Sequence, residues 1–285
     1  MRVLRTVAEA RAFTRSERRR GRSLALVPTM GAWHEGHLSL LRAARRSSAC
    51  VVGSIFVNPL QFGPREDYDA YPRDEARDLV LARDEDVDAV FIPTVDEMYR
   101  EGDSTRISVG ALGAVLEGAH RPGHFEGVCT VVAKLFNVVH PDRAFFGQKD
   151  AQQVAVVRRM VADLAFPIEI VVGETVRERD GVALSSRNAY LSADERKRAT
   201  ALIHALEAGR DVLAATGSAA RAEARMAEVL AHGDGIEVHY ARAVDPETFQ
   251  APASDAVLLV VAARVGKTRL IDNLIIRRSA QCTFP

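Results

Sequence analysis

The sequence predicts an α/β fold, a doubly wound parallel (Rossmann-like) sheet followed by a smaller α+β domain. Three observations carry that expectation. Short apolar runs at 24–27, 50–57, 89–93, 143–147 and 168–172 alternate with stretches of helical periodicity, as in strand–helix–strand units. Leu24 to Leu41, LALVPTMGAWHEGHLSLL, joins one such strand to a helix through a Gly-containing turn. Beyond Gly173 the alternation stops. Residues 192–232 are rich in alanine and charge and read as two helices. Strands then follow at 236–243, 256–265 and 269–276, with no helix between the last two. The expected boundary falls near residue 175, dividing 1–175 from 176–285.

Taken in order, residues 6–20 read as a helix ending in the basic run Arg15-Ser16-Glu17-Arg18-Arg19-Arg20, a solvated face in preference to a nucleic-acid patch. The apolar run from Leu24 suits a buried strand, and Pro28 and Gly31 then force a turn. Leu38, Leu41 and Ala44 recur at helical spacing, so the next helix starts at or just before His37. A strand, a turn and a helix N-terminus is the geometry that holds phosphates, because free N–H groups and the helix dipole face the ligand. His34 and His37 stand one turn apart at that start, around Gly36, which has no Cβ to exclude a phosphate. A zinc-type HExxH would need histidine at 38, where the residue is Leu38. The second strand stops at Asn58-Pro59. A polar stretch over 64–86 leads to the third. Val128, Val131, Val132, Leu135, Val138 and Val139 keep a 3.6-residue period, so 128–139 is a helix despite its β-branching. Val154, Val157, Val161 and Leu164 mark another over 151–164. Gly266-Lys267-Thr268 is not a P-loop, since Val261 occupies the required glycine position.

Composition narrows the function classes. Thirty-eight basic and 38 acidic residues cancel, so no overall field recruits nucleic acid or an anionic membrane. No apolar segment approaches the ~18 residues of a membrane span. The N-terminus has no apolar signal core, and Glu9 and Glu17 argue against a transit peptide. Cys50, Cys129 and Cys282 are far apart and odd in number, which suits a reducing cytoplasm.

The remaining chemistry-bearing residues follow strands. Asn58 and Gln61 are neutral amides, suited to the hydroxyls and carboxylate of a small acid. Lys149 offers a point charge to phosphate, and Gln153 stands in the first turn of the next helix. Ser185-Ser186-Arg187 puts two hydroxyls and a guanidinium in one loop, a candidate triphosphate clamp. Asp78 and other acids after Tyr71-Pro72-Arg73 are either Mg²⁺ ligands or a solvated helix face. His34-Glu35-Gly36-His37 resembles the HxGH signature of the nucleotidyltransferase superfamily that includes class I tRNA synthetases. Together with Pro28-Thr29-Met30-Gly31, SIFVNP-x-QF, Asp69 to Arg73, HF-x-GV, PDR-x-FFG-x-KD-x-QQ and SSRN-x-YL, it resembles the pantoate–β-alanine ligases over essentially the whole chain. Gln148, Ala151 and Leu184 depart from the residues common in that family, and Gln148 removes a negative charge near the nucleotide.

The resemblance implies an AMP-forming ligase. Pantoate and ATP would give pantoyl adenylate and pyrophosphate, and β-alanine would then displace AMP. An ionised carboxylate needs no strong base to attack phosphorus, so catalysis is alignment plus charge neutralisation. Holding ATP at micromolar strength takes roughly 8 kcal/mol, whereas a helix dipole gives about 0.3–2 kcal/mol. His34, His37, Lys149, Ser185, Ser186 and Arg187 are therefore assigned to the phosphates, with Mg²⁺ bridging them and His37 as proton donor. The resemblance adds Met30, Gly31, Gly147, Asp150, Val176 and Leu184 to the ATP set, Gln61 and Gln153 to pantoate, and Asn58 to pantoate or β-alanine. It also implies a homodimer, and the small domain is expected to act as a lid. A one-step HxGH nucleotidyltransferase, or a nucleotide-binding regulator without turnover, are the alternatives. A tRNA ligase is disfavoured by the zero net charge.

Overall fold

Burial on both faces is why the first strands read as unbroken apolar runs. The computed structural model describes residues 1–64 and 66–277. Its first sheet contains β1 (Arg2–Leu4), β2 (Leu24–Thr29), β3 (Cys50–Ile55), β4 (Ala89–Phe91), β5 (Arg143–Gly147) and β6 (Glu169–Gly173). Neighbours pair in parallel in the order β1-β4-β3-β2-β5-β6. The chain winds outward from β2 through β3 and β4, then lays β5 on the other side of β2. The doubly wound expectation holds, with the change of direction between β2 and β5, where such sheets bind ligands. β1 was not expected from the sequence, because three residues at a sheet edge carry no periodicity.

The helices accompanying this sheet are α1 (Val7–Arg19), α2 (Glu35–Ser47), α3 (Glu75–Asp84), α4 (Val95–Met98), α5 (Glu117–His120), α6 (His124–Val139) and α7 (Ala151–Asp163). α1 begins at a capping box, in which the Thr6 hydroxyl accepts from the Glu9 amide and the Glu9 carboxylate accepts from the Thr6 amide. α6 buries Val128, Val131, Val132, Leu135 and Val139, so its period outweighs β-branching as expected. Trp33, Leu41, Val27, Val51, Val90 and Phe145 pack in one core cluster.

The chain forms two compact units. One contains Met1–Gln148 and Val156–Val176, and the other Lys149–Ala155 with the chain from Arg177 onward. In the second unit, α8 (Ala193–Ala199), α9 (Ala201–Thr216) and α10 (Ala219–Ala231) precede the antiparallel strands β7 (Ile236–Val244), β8 (Ala256–Val265) and β9 (Thr268–Arg277). Two helices were expected over 192–232 and three are present. The Thr200 hydroxyl donates back to the Lys197 carbonyl at 2.7 Å, competing with the ladder where α8 gives way to α9. Leu206, Met226, Leu259 and Val261 centre this unit's core. Gly266-Lys267 is a two-residue hairpin turn between β8 and β9, with Gly266 at φ +59. Among the described residues no helix is long and apolar enough to cross a membrane. Cys50 and Cys129 are buried, which pushes both thiols up to about 12, and Cys282 lies outside the described residues.

Candidate active site

The β2–α2 connection is held from its own residues and from one distant acid. Gly31 has φ +86, which favours glycine, and a Cβ there would also press on Ile55 and the Asp78 carboxylate. The Thr29 hydroxyl donates to the Ser54 carbonyl at 2.7 Å and accepts from the Gly31 amide and the Trp33 indole N–H. Asp78, on α3, accepts the Ala32 and Trp33 amides at 2.8 Å each. Burial raises the Asp78 pKa against the pull of those amides. Its metal role is thus not supported, since it is 1% exposed and both oxygens serve the turn.

His34 is the N-cap of α2, and the two imidazoles stack with ring centroids 4.1 Å apart. Nδ1 of His34 accepts from the Gly36 amide at 3.2 Å, and Nδ1 of His37 from the His34 amide at 3.4 Å. A backbone amide can only donate, so both Nδ1 atoms lack a proton. The neutral tautomer that caps this helix therefore carries its proton on Nε2 in each ring. Serine or aspartate is the usual cap; histidine here fills the capping role and becomes an Nε2–H donor at the same time.

The corner after β3 lies at the same sheet edge, because Thr29 and Ile55 are register partners. Asn58 caps the 3₁₀ turn Pro59–Gln61 and is 1% exposed. Its Nδ2 donates to Gln61 Oε1 and to the Gly127 carbonyl, both at 3.1 Å. Its Oδ1 accepts from the Tyr99 hydroxyl at 2.8 Å and the Leu60 amide at 3.3 Å. All four of its hydrogen-bonding positions are used within the chain, so Asn58 acts on Gln61 instead of touching substrate. Gln61 Nε2 reaches Met30 Sδ at 2.9 Å, which joins this corner to the β2–α2 turn. A Cβ on Gly127 would collide with the Leu60 carbonyl, so α6 presses directly on the corner. Gly147 ends β5, the other neighbour of β2, and Val176 follows β6. Met30, Gly31, His34, His37, Gln61 and Gly147 thus gather at the carboxyl ends of β2, β3 and β5.

The second unit holds the other expected residues. Lys149 and Asp150 form a short 3₁₀ turn with Gln148, and Lys149 Nζ lies 3.5 Å from Asp150 Oδ1. The Lys149 carbonyl accepts from Asn273 Nδ2 at 2.9 Å, and the Asn273 amide donates to Asp272, which Arg177 grips with two nitrogens at 2.6 and 2.9 Å. Gln153 is half-buried in the first turn of α7. Leu184 is half-buried before Ser185, which caps the 3₁₀ turn Ser186–Tyr190 by accepting from the Arg187 amide. Asn188 donates to Glu178 and to the Ala183 carbonyl, and Arg196 pairs with Glu178 and Asp180, lowering both acid pKa values.

Three side chains that build the Gln61 corner were missed in the sequence: Tyr99, Arg121 and Glu66. No local pattern marks them, although His124, which meets Arg121 and the Gln61 carbonyl, lies in the HF-x-GV segment. A family model described as pantoate-beta-alanine ligase matches residues 2–275. The chain belongs to this family. A pantothenate synthetase of Mycolicibacterium smegmatis is 54% identical over 94% of this chain and 85% of its own length. One from Moorella thermoacetica is 51% identical over 97% and 99%. A crystal structure of pantothenate synthetase from Thermus thermophilus superposes with a TM-score of 0.91 at 51% identity, covering 96% of this chain and 99% of that one. The Francisella tularensis pantoate-beta-alanine ligase, described as complexed with beta-gamma ATP and beta-alanine, gives a TM-score of 0.80 at 31% identity over 96% and 97%. The protein is accordingly an ATP-dependent ligase that forms the amide bond between pantoate and β-alanine.

Proposed function

We propose that this ligase works through a pantoyl adenylate, with pantoate attacking the α-phosphorus of ATP and β-alanine then displacing AMP. The single observation that carries the reading is the stacked His34–His37 pair, capped through Nδ1 at the start of α2. Nε2–H donors at a helix N-terminus suit phosphoryl oxygens whose charge grows in the transition state. In this reading His37 donates to the transferring phosphoryl group. Met30, Gly31, His34, Gly147, Lys149, Asp150, Val176, Leu184, Ser185, Ser186 and Arg187 are the further residues assigned to ATP. Gln61 and Gln153 hold pantoate, with Asn58 acting through Gln61.

Magnesium enters this proposal only as the counter-ion that arrives with the triphosphate. Among the described residues no group of three His, Cys, Asp or Glu side chains is arranged to hold a metal. No step is assigned to it. The proposal also takes the enzyme as a cytoplasmic homodimer acting on ATP, pantoate and β-alanine, with neither nucleic acid nor membrane as partner; light scattering in solution tests the dimer. The deciding experiment measures AMP and pyrophosphate with each substrate omitted in turn. Pyrophosphate exchange with ATP that requires pantoate but not β-alanine is expected. AMP release dependent on β-alanine completes the sequence, and exchange that needs all three substrates would overturn the adenylate step.

A further inference from the structure

The polarity of the bonds around Asn58 fixes more than Asn58. The Leu60 amide can only donate and the Gly127 carbonyl can only accept, so Oδ1 must face the first and Nδ2 the second. Tyr99 adds its hydroxyl to Oδ1 from 41 residues away in sequence. The second Nδ2 proton then belongs to Gln61 Oε1. Gln61 is held at its backbone as well. Its carbonyl accepts from His124 Nδ1 at 2.8 Å and from Arg121 Nη2 at 3.2 Å, and Arg121 is paired with Glu66 through contacts of 2.8 and 2.6 Å. With the carbonyl end of its side chain committed, Gln61 has its Nε2 protons to offer, and within the protein they meet the weak acceptor Met30 Sδ.

We infer that Tyr99 is a positioning residue for the ligase reaction: through Asn58 it holds Gln61 with the amide N–H₂, not the carbonyl, as the end offered to substrate. The corner then selects an oxygen acceptor, the carboxylate or a hydroxyl of pantoate. A reversed glutamine would set a carbonyl oxygen against that carboxylate. Burial pushes the Tyr99 phenol pKa up, so its proton stays in place through the neutral range. Lys134 Nζ sits 4.7 Å from the ring centroid and Phe56 packs beside it, which fixes the ring independently of its hydroxyl. Tyr99→Phe therefore removes the hydrogen bond and little else.

The inference rests on the reading of Gln61 as a pantoate group, and the test separates the two. Steady-state kinetics would be measured for Tyr99→Phe, Gln61→Ala and the double variant, varying pantoate and ATP separately. Tyr99→Phe is expected to raise the pantoate KM about fivefold, the factor matching one neutral hydrogen bond of ordinary net strength. The ATP KM should move less than the pantoate KM. Adding Tyr99→Phe to Gln61→Ala should change nothing further, because the relay ends on the missing amide. A raised pantoate KM in Gln61→Ala with none in Tyr99→Phe overturns the relay and leaves the Gln61 reading standing. An unchanged pantoate KM in Gln61→Ala overturns that reading and the relay with it. Equal rises for ATP and pantoate in Tyr99→Phe would mark a merely structural residue.

Discussion

Two corners at the same edge of the first sheet are built in opposite ways. The β2–α2 corner orders its histidines with amides two and three residues away, and most of its remaining bonds come from Thr29. The β3 corner orders Gln61 with Tyr99, Arg121, His124 and Gly127, which are 38 to 66 positions further along the chain. The first corner is a local capping problem, solved wherever the strand–turn–helix forms. The second exists only after α6 and the segment carrying Tyr99 have packed. Asp78 is a distant support of the first corner, alike in kind to those of the second.

That contrast can be broken at several points. The largest effect is expected at the local corner. His37→Ala should slow pyrophosphate release about 10²- to 10³-fold, roughly 3–4 kcal/mol of transition-state stabilisation. A variant with near-normal release would remove His37 from the phosphoryl step. At the distant corner, burial and the Arg121 charge depress His124 to about 4, with Glu66 and Glu117 pulling the other way. The folded state thus binds fewer protons than the unfolded chain between about pH 6.5 and 4. Stability should be full above that window and fall by about 3 kcal/mol as pH drops through it. Chemical denaturation at stepped pH reads this directly, and His124→Gln should flatten the slope.

A smaller effect is expected for Asp78→Asn. One of the Ala32 and Trp33 amides, the second of them buried, would then face an N–H₂ group, costing about 1–3 kcal/mol. Thermal unfolding measures the loss, and if Asp78 serves the turn, it should be the same with and without Mg²⁺. The smallest is expected for Arg42→Ala on the exposed face of α2. Arg42 pairs there with Glu35 and Glu85 and is 43% exposed on its side chain, so screening limits the effect to under about 1 kcal/mol. A loss larger than for Asp78→Asn would reverse the ranking of buried over surface contacts on which the comparison depends.

The same division explains what could be read in advance. The strand runs at Leu24, Cys50, Ala89 and Arg143 mark β2 to β5 because their residues are mostly buried, the run at Ile168 marks the half-buried β6, and periodicity marks α6 and α7. The histidine pair was visible because capping operates over three residues. Asn58 and Gln61 were visible as residue types but not in their division of labour. Nothing in Asn58-Pro59-Leu60-Gln61 shows that Tyr99 and Gly127 will take the two positions of the asparagine that Leu60 and Gln61 leave. Asp78 looked like a metal ligand or a surface acid, because the chain around it does not reveal that the Ala32 and Trp33 amides arrive from about 45 residues away.

By itself, then, the sequence determined the alternating sheet, the helix start and the kinds of group available to a nucleotide and a small acid. Those depend on spacing, backbone freedom and residue chemistry over a few positions. Tertiary structure decided which hydrogen-bonding end Asn58 and Gln61 present. Donors and acceptors are apportioned only when segments tens of residues apart meet out of water, where leaving one of them unmatched is costly.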